Sequence, residues 1–326
     1  MVKRLWNKLL CICLICALLL TSCTNNHKTE QSDKLDRRIK IGIVFSNNTT
    51  KWTDTFCRDL TSTLIERGYS VTYANCDDTN SQEVEMRNIA REGVDYILFQ
   101  PYEMEESKRC FDIAKNYYIP VIVISRTPSE SLSEDDYIAY VGPNYIQEGE
   151  MCATWLRDNI LAAEINIIEI TGRSKSSSSI QRSAGFANIV QKTEKMNIIA
   201  SEAGDSDDAK VQEITNSMIR SYGSNFNAVF VHTDDMALRV IQALKAANIS
   251  PGRDVFVVSI NGMREMIQKI IDGEASATIT CTPYTGEATA NLLDKIVEGK
   301  EYDRVNIITD WIIDEKNCQE EILSAY

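Results

Sequence analysis

The chain has 326 residues, of which 44% are hydrophobic and 25% charged, and it contains only 14 glycines and 6 prolines. This composition is typical of a globular protein of one or two domains and excludes a largely disordered chain. The formal net charge of −13 argues against a nucleic-acid partner, because phosphate backbones attract basic surfaces.

The N-terminus has the pattern of an export signal. Three basic residues precede an apolar stretch at residues 9–20, which is too short to span a membrane as a helix. The next residues, Leu20-Thr21-Ser22-Cys23, resemble the lipobox of bacterial lipoproteins. The resemblance implies that residues 1–22 are removed as a signal peptide and that Cys23 carries a lipid. The chain would then be anchored to a membrane of the cell envelope, facing the periplasm or the exterior. The alternative is an ordinary secretory signal in which Cys23 is incidental.

Residues 23–38 are polar and lack periodicity, which predicts a flexible tether. After them, apolar runs alternate with amphipathic stretches. Residues 39–45 predict the first strand, and apolar residues at helical spacing predict a helix over residues 52–67. The later predicted strands are 71–74, 94–99, 119–124, 137–141, 165–170, 198–202, 228–231, 255–260 and 277–280. The later predicted helices are 82–92, 103–118, 145–161, 180–192, 210–222, 236–247, 264–272 and 287–298.

The predicted strands are mostly continuous apolar runs, which is typical of parallel sheets covered by helices on both faces. Ten predicted strands with their nine helices are too many for one core of ordinary size. The sequence therefore predicts an α/β fold with two doubly wound parallel-sheet lobes. In such sheets a ligand binds beyond the carboxyl ends of the strands.

Polar residues follow several predicted strands at that edge. Arg126 ends the stretch IPVIVISR and is expected to face a ligand, with a salt bridge to Glu130 as the alternative. Thr233 and Asp234 are either ligand contacts or caps of the helix that begins near Met236. The other polar residues at strand ends are Ser46, Gln100, Thr171 and Asn261.

Several expected absences follow from the sequence. The six cysteines after residue 23 are widely spaced and form no metal-ligand pattern. The chain has only two histidines and no nucleophile motif of a hydrolase, so we predict no catalytic residue, no metal site and no cofactor.

The stretch TGRSKSSSS, residues 171–179, lacks the Gly-Lys-Ser/Thr ending of a phosphate loop. It is interpreted as a flexible loop that caps the helix carrying Arg182 and has a secondary role in touching the ligand.

Eight stretches together carry a family resemblance: IKIGIVFSNN, EGVDYILFQP, IPVIVISR, YVGPNYIQEGEM, SIQRSAGF, VHTDDMALRVIQAL, VVSINGM and GEASATITCTP. They resemble the type I periplasmic sugar-binding proteins of the ribose- and galactofuranose-binding group, related to the ligand domain of the lactose-repressor family. The resemblance implies two lobes that close over a ligand about a three-segment hinge. The N-terminal lobe would comprise residues 39–142 and 283–309, and the C-terminal lobe residues 143–282 and 310–326. A signal peptide stands where a repressor would carry its DNA-binding helices.

The resemblance also implies a set of ligand contacts. Trp52 corresponds to an aromatic residue that stacks on a sugar ring, and Arg126 and Arg182 to arginines that fork onto hydroxyls or a carboxylate. Ser46 and Gln100 correspond to polar contacts. The retained or altered positions in the same pocket are Asp234, which is kept, Ser125 and Asn261 in place of aspartates, Thr233 in place of asparagine, and Cys281 in place of an amide.

The loss of two carboxylates, with both arginines kept, makes the implied pocket more positive. One interpretation is an anionic or less hydroxylated ligand, such as a sugar acid or a phosphorylated sugar. The other is a poorly occupied pocket in a protein that now signals. The implied partner is accordingly the membrane permease of an ABC-type importer or, alternatively, a sensor kinase on which the chain docks without transport.

Overall fold

The computed structural model describes residues 38–47 and 50–326. The predicted signal peptide, the proposed lipidation at Cys23 and nearly all of the predicted tether lie outside the described residues. None of the helices in the described ranges combines the length and the apolar character needed to cross a membrane.

Twelve strands and ten helices make up the described part of the chain. The strands are β1 (Lys40–Ser46), β2 (Ser70–Cys76), β3 (Tyr96–Phe99), β4 (Val121–Ile124), β5 (Ala139–Pro143), β6 (Ile165–Thr171), β7 (Met196–Ala203), β8 (Ala228–Val231), β9 (Phe256–Asn261), β10 (Ala277–Thr280), β11 (Val305–Ile308) and β12 (Ile312–Asp314). The helices are α1 (Lys51–Glu66), α2 (Thr79–Arg91), α3 (Lys108–Asn116), α4 (Tyr145–Asn159), α5 (Ser177–Val190), α6 (Asp208–Tyr222), α7 (Asp234–Ala246), α8 (Arg264–Ile271), α9 (Gly286–Val297) and α10 (Cys318–Glu321).

The strands form two six-stranded sheets. The first has the order β11-β5-β4-β3-β1-β2 and is parallel throughout. The second has the order β12-β10-β9-β8-β6-β7, and only the pairing of β12 with β10 is antiparallel. We call the first sheet with its helices the first lobe, and the second sheet with its helices the second lobe. The predicted fold of two doubly wound parallel-sheet lobes is confirmed.

Three segments connect the lobes, after β5, after β10 and between β11 and β12. The second connection returns the chain to the first lobe, where α9 packs on α1. The Gly286 amide donates to Asp59 at 2.7 Å, and Arg67 pairs with Glu287 and Asp294. A helix from late in the chain therefore completes the first lobe. The residue limits expected for each lobe stay a prediction.

The observed elements differ from the sequence prediction in two respects. Strands β11 and β12 were not predicted. They have only four and three residues and lie at sheet edges, where a strand is partly exposed and needs few apolar residues. Helix α3 begins at Lys108 and not near residue 103. The preceding turn is fixed by a contact with the other lobe, because the Met104 amide donates to the Lys175 carbonyl at 3.0 Å.

The apolar strands form the core of each lobe. All residues of β4 and β8 are buried, as expected for parallel strands with helices on both faces. In the second lobe the rings of Phe186 on α5 and Phe230 on β8 stack with centroids 4.2 Å apart. The six cysteines among the described residues are free thiols, and five are buried.

Helices α4 and α5 pack backbone to backbone in the second lobe. A methyl group added to Gly185 would lie 1.9 Å from the Ile146 carbonyl oxygen, and one added to Gly149 would lie 2.1 Å from the Arg182 carbonyl oxygen. Two glycines at the contact therefore set the distance between the helices. This distance positions α5, whose first turn faces the other lobe.

We expect Gly185→Ala to destabilise the protein by about 2–3 kcal/mol, because the added carbon forces two backbones apart. The measurement is the free energy of unfolding in urea. The control is Ala184→Ser at an exposed position of the same helix, which should change this free energy by about 0.5 kcal/mol or less. Equal effects of the two changes would contradict this account of the helix contact.

Candidate functional site

A cavity of about 60 Å³ lies where the carboxyl ends of the two sheets face each other. Its volume exceeds that of a single water site several-fold, and its wall is largely polar. Seven residues expected at the site from the sequence line this cavity. They are Trp52, Ser125 and Arg126 from the first lobe, and Arg182, Thr233, Asn261 and Cys281 from the second lobe.

Trp52 forms an aromatic part of the wall at the start of α1. Thr50 caps this helix by accepting a hydrogen bond from the Thr53 amide at 3.2 Å, so the helix begins beside the cavity. The indole stacks on Phe56 with ring centroids 5.0 Å apart, and its Nε1 donates to the Cys281 carbonyl at 2.5 Å. Cys281 thus contributes its backbone oxygen to a contact between the lobes, while burial raises the pKa of its thiol well above the ordinary value.

Arg182 is buried and carries a buried counter-ion. Its Nε donates to Glu148 at 2.7 Å and its Nη1 to the His232 carbonyl at 2.7 Å. The side chains of Arg182 and Glu148 are 5% and 0% exposed. Burial alone would lower the pKa of Arg182, but the charge of Glu148 raises it, so the guanidinium stays charged. The pair joins α5 to α4 and to the end of β8.

Glu148 was missed by the sequence analysis, although a signal for it existed. It lies on the same face of α4 as Tyr145, Cys152 and Leu156, which are buried. A carboxylate within an apolar stripe needs a buried partner, because an unpaired charge there is costly. Arg182, on the next predicted helix, could have been proposed as the partner of this carboxylate.

Arg126 has no carboxylate partner in the part of the chain that the structure describes. It follows β4, and its Nη1 donates to Ser176 Oγ of the other lobe at 2.8 Å. No carboxylate of the described residues lies within ion-pair distance of Arg126, so the alternative salt bridge to Glu130 is not formed. Burial and the nearby charge of Arg173 lower the pKa of Arg126 to about 10.

Arg173 is a third guanidinium on the cavity wall, and the sequence analysis did not single it out. Its planar group lies over the Tyr102 ring, 3.7 Å from the centroid, and its Nη2 donates to Ser46 Oγ at 3.1 Å. Its Nη1 is buried without a hydrogen-bond partner among the described residues. The TGRSKSSSS stretch therefore lines the cavity through more than its serines.

Three other predicted site residues lie behind the cavity wall. The Ser46 amide donates to Gln100 Oε1 at 3.1 Å, so Gln100 supports Ser46 from within the first lobe. Asp234 is fully buried and accepts hydrogen bonds from Ser259 and Thr278 side chains at 2.5 and 2.8 Å. Burial raises the pKa of Asp234 to about 6, and these hydrogen bonds partly offset the effect. Asp234 thus ties α7 to the second sheet.

Its neighbour Asp235 lines the cavity instead. One of its carboxylate oxygens is buried and has no hydrogen-bond partner among the described residues. Burial raises the pKa of Asp235, and the charges of Asp208 and Glu265 add to this shift. The sequence analysis named Asp234 and not Asp235, since a strand exit does not show which of two adjacent side chains turns inward. Thr233 caps α7, accepting from the Met236 amide at 3.5 Å, and also lines the cavity, while its role as a ligand contact stays a prediction.

No three His, Cys, Asp or Glu side chains of residues 38–47 and 50–326 come together as metal ligands. His232 is buried, its Nε2 lies 3.1 Å from Glu169, and burial lowers its pKa. The arrangement can bind a polar molecule between the lobes.

A buried carboxyl, Asp310, lies in the connection between β11 and β12. Thr280 Oγ1 donates to it at 3.2 Å. Burial raises the pKa of Asp310 to about 8, and the negative charge of Glu148 adds to the shift. Asp310 therefore holds a proton at neutral pH, next to the ion pair that anchors α5.

We expect Asp310→Asn to gain stability relative to the unchanged chain as the pH rises from about 5 to about 8. Below the ordinary pKa of 3.8 the Asp310 carboxyl is protonated in both the folded and the unfolded state, and between 3.8 and about 8 it is protonated only in the folded state. The unchanged chain therefore loses unfolding free energy up to about pH 8, whereas asparagine stays neutral. Urea unfolding at several pH values measures the difference, with the exposed Asp135→Asn as the control. A stability difference that does not vary with pH would contradict the assignment.

Comparison with known proteins places the chain in a family. Residues 41–301 match the family model described as periplasmic binding protein domain. The galactofuranose-binding protein YtfQ of Escherichia coli (strain K12) is 29% identical over 233 residues, which cover 71% of this chain and 73% of the relative. The ribose import binding protein RbsB of Bacillus subtilis (strain 168) is 24% identical over 266 residues, covering 81% and 83%.

Solved structures agree with this assignment. A galactofuranose binding protein superposes with a TM-score of 0.83 at 26% identity, covering 88% of this chain and 98% of that one. The fructose binding periplasmic domain of a hybrid two component system has a TM-score of 0.80 at 23% identity, covering 88% and 94%, and shares the fold. These four relatives are named for binding and not for catalysis. The family match spans most of the chain, and the chain therefore belongs to the periplasmic binding proteins, with the type I arrangement of two parallel-sheet lobes.

Proposed function

We propose that the chain is an extracytoplasmic solute-binding protein that captures a small carbohydrate-like ligand by lobe closure and presents it to an ABC-type importer. The observation that carries the proposal is the cavity whose wall is shared between the carboxyl edges of both sheets. A ligand in this position touches both lobes and therefore binds the closed form better than an open one. The relatives named for galactofuranose and ribose support a sugar-like ligand.

Most direct contacts between the lobes around the cavity are polar. Lys51 pairs with Glu265 at 2.7 Å, Arg126 bonds Ser176, and Thr127 Oγ1 donates to Gln181 at 2.9 Å. Lys51 and Glu265 are exposed, and such pairs contribute only about 0.2–1 kcal/mol. A ligand that touches both lobes adds to the free energy of closure, so that closure reports occupancy.

We assign roles to the wall residues as follows. Trp52 offers a ring face to the ligand, and Asp235 and Asn261 accept or donate hydrogen bonds to its hydroxyl groups. Arg126 forks onto neighbouring oxygens of the ligand. Ser125, Thr233 and the Cys281 carbonyl add polar contacts, while Ser46, Gln100 and Asp234 hold the wall in place. Arg182 is neutralised by Glu148 and therefore contributes hydrogen bonds more than net charge.

The membrane attachment is a separate part of the proposal. Cleavage before Cys23 and lipidation of its sulfur would tether the two lobes to the cell envelope. Mass spectrometry of the protein from its native membrane should show a diacylglyceryl-modified Cys23, and Cys23→Ser should release the protein from the membrane. A Cys23→Ser protein that stays membrane-bound would contradict lipid anchoring.

The second candidate function is ligand sensing, in which the closed form docks on a sensor kinase and no solute is moved. The shared fold with the periplasmic domain of a hybrid two component system supports this candidate. Deletion of the gene separates the two functions. Loss of uptake of a radiolabelled ligand supports import, whereas intact uptake with a lost transcriptional response supports sensing.

We expect Trp52→Ala to weaken binding of any sugar that stabilises the unchanged chain by at least about tenfold, because a ring face and a contact between the lobes are removed. Thermal-shift screening against pentoses, hexoses and their acids and phosphates identifies the sugar, and calorimetry gives the dissociation constants. Tyr302→Ala, an exposed aromatic residue that does not line the cavity, is the control. Equal affinities of the Trp52→Ala and unchanged chains would show that the site is elsewhere.

A further inference from the structure

Two guanidinium groups on the cavity wall lack a negative partner within residues 38–47 and 50–326. Neither Arg126 nor Arg173 lies within ion-pair distance of a carboxylate in the part of the chain that the structure describes. Arg182, by contrast, is matched by Glu148. Arg126 and Arg173 are both half-buried at the cavity wall, where a partly desolvated charge is stabilised by a partner of opposite sign. The two unmatched arginines therefore indicate that a negative group is supplied from outside.

Both unmatched guanidiniums are held in place by contacts that leave donors free. Arg126 uses only Nη1, in its bond to Ser176, out of five N–H donors. Arg173 uses Nη2 on Ser46 and rests on the Tyr102 ring, while its buried Nη1 has no partner among the described residues. Since Ser46 and Tyr102 belong to the first lobe, Arg173 reaches across the gap from the second lobe.

The first turn of α5 adds donors at the same place. Its N-cap residue, Ser176, makes no side-chain capping bond to a backbone amide of the helix, and its hydroxyl instead contacts the side chains of Arg126 and Ser178. The first-turn amides are therefore left without a side-chain cap, and Ser178 and Ser179 line the cavity. Uncapped amides at a helix start favour a bound anion.

We propose that Arg126, Arg173 and the first turn of α5 form a phosphoryl subsite, and that the ligand is the phosphate monoester of a small sugar. This inference rests on the proposed function and names the class of its ligand. The phosphoryl group bridges the lobes, since Arg126 belongs to the first lobe and the α5 turn to the second. The sugar portion then lies toward Trp52 and Asp235.

A phosphate monoester fits these donors better than a carboxylate does. A carboxylate has two coplanar oxygens, which one guanidinium fork can satisfy. A phosphate monoester has three terminal oxygens in a tetrahedral arrangement and a charge near −2 at pH 7. Two arginines from different directions and a helix start match that geometry and that charge.

The acidic side of the cavity supports this orientation of the ligand. The Asp235 carboxylate lines the cavity, and one of its oxygens has no hydrogen-bond partner among the described residues, so it offers an acceptor to hydroxyl groups but none of the donors that a second anionic group needs. The cavity thus has a cationic part and an acidic part. A sugar phosphate has the complementary distribution of charge.

The subsite can be tested with inorganic phosphate, before the sugar is known. We expect phosphate at millimolar concentration to raise the melting temperature of the full chain more than sodium chloride of equal ionic strength. Arg173→Met should weaken phosphate binding by about 10- to 100-fold, since one charge-assisted hydrogen-bonding group is lost. The phosphate affinity of Arg173→Lys should fall between those of the unchanged chain and Arg173→Met, because the positive charge remains and the planar fork of donors is lost.

Lys175→Met is the matched control for Arg173→Met. Lys175 lies in the same loop and also bridges the lobes, through an ion pair with Glu106 at 2.7 Å, but it does not line the cavity. This control therefore removes a positive charge and a contact between the lobes while leaving the proposed subsite intact. Phosphate affinity should change by less than about threefold. Equal losses in the two variants would overturn the inference.

Calorimetry with free pentoses and hexoses, their aldonic acids and their phosphate monoesters completes the test. The inference is supported if a phosphate monoester binds most tightly. Arg173→Met should then weaken the affinity for this monoester but not the affinity for the matching free sugar. Tightest binding of a free sugar or an aldonic acid overturns it while the proposed function stands. Binding of inorganic phosphate that survives in Arg173→Met also overturns it. If phosphate binds but no sugar compound does, the subsite stands and the carbohydrate function fails.

Discussion

The buried ion pair between Glu148 and Arg182 is the interaction on which the site depends. It joins two helices of the second lobe whose backbones already touch at Gly149 and Gly185, and it fixes the carbonyl that ends β8. Breaking such a pair by removing one partner costs about 3–5 kcal/mol, because the other charge stays buried. The first turn of α5, with the serines that reach the other lobe, is therefore presented on a rigid support.

The three arginines of the cavity differ in the partners that their guanidinium groups contact. Arg182 is matched and structural, whereas Arg126 and Arg173 are held by hydroxyls and by an aromatic ring, which leave their charge unbalanced. Hydroxyl groups fix the direction of a guanidinium without neutralising it. The positive charge at the cavity is thus preorganised before any ligand arrives, which reduces the cost of ordering side chains on binding.

Much of this could be predicted from the sequence. Apolar strand runs alternating with helices fix the fold class, and the rule that ligands bind beyond the carboxyl ends of strands places Arg126 and Asn261 at the cavity. Pairwise contacts could not be predicted in this way. The sequence does not show that Asp235 and not Asp234 faces the cavity, or that Arg173 is turned inward by Tyr102. Strand β11 lacks a clear pattern because two of its four residues are exposed at a sheet edge.

The return of α9 and β11 to the first lobe bears on how the protein folds. Strand β11 pairs with β5, and α9 covers α1, so the first lobe stays incomplete until almost the whole chain has been synthesised. Contacts between residues so far apart in sequence form slowly, because a long loop must close first. A nascent chain with this topology remains incompletely folded for longer, because the sheet of its first lobe cannot be completed until residues near the end of the chain are available.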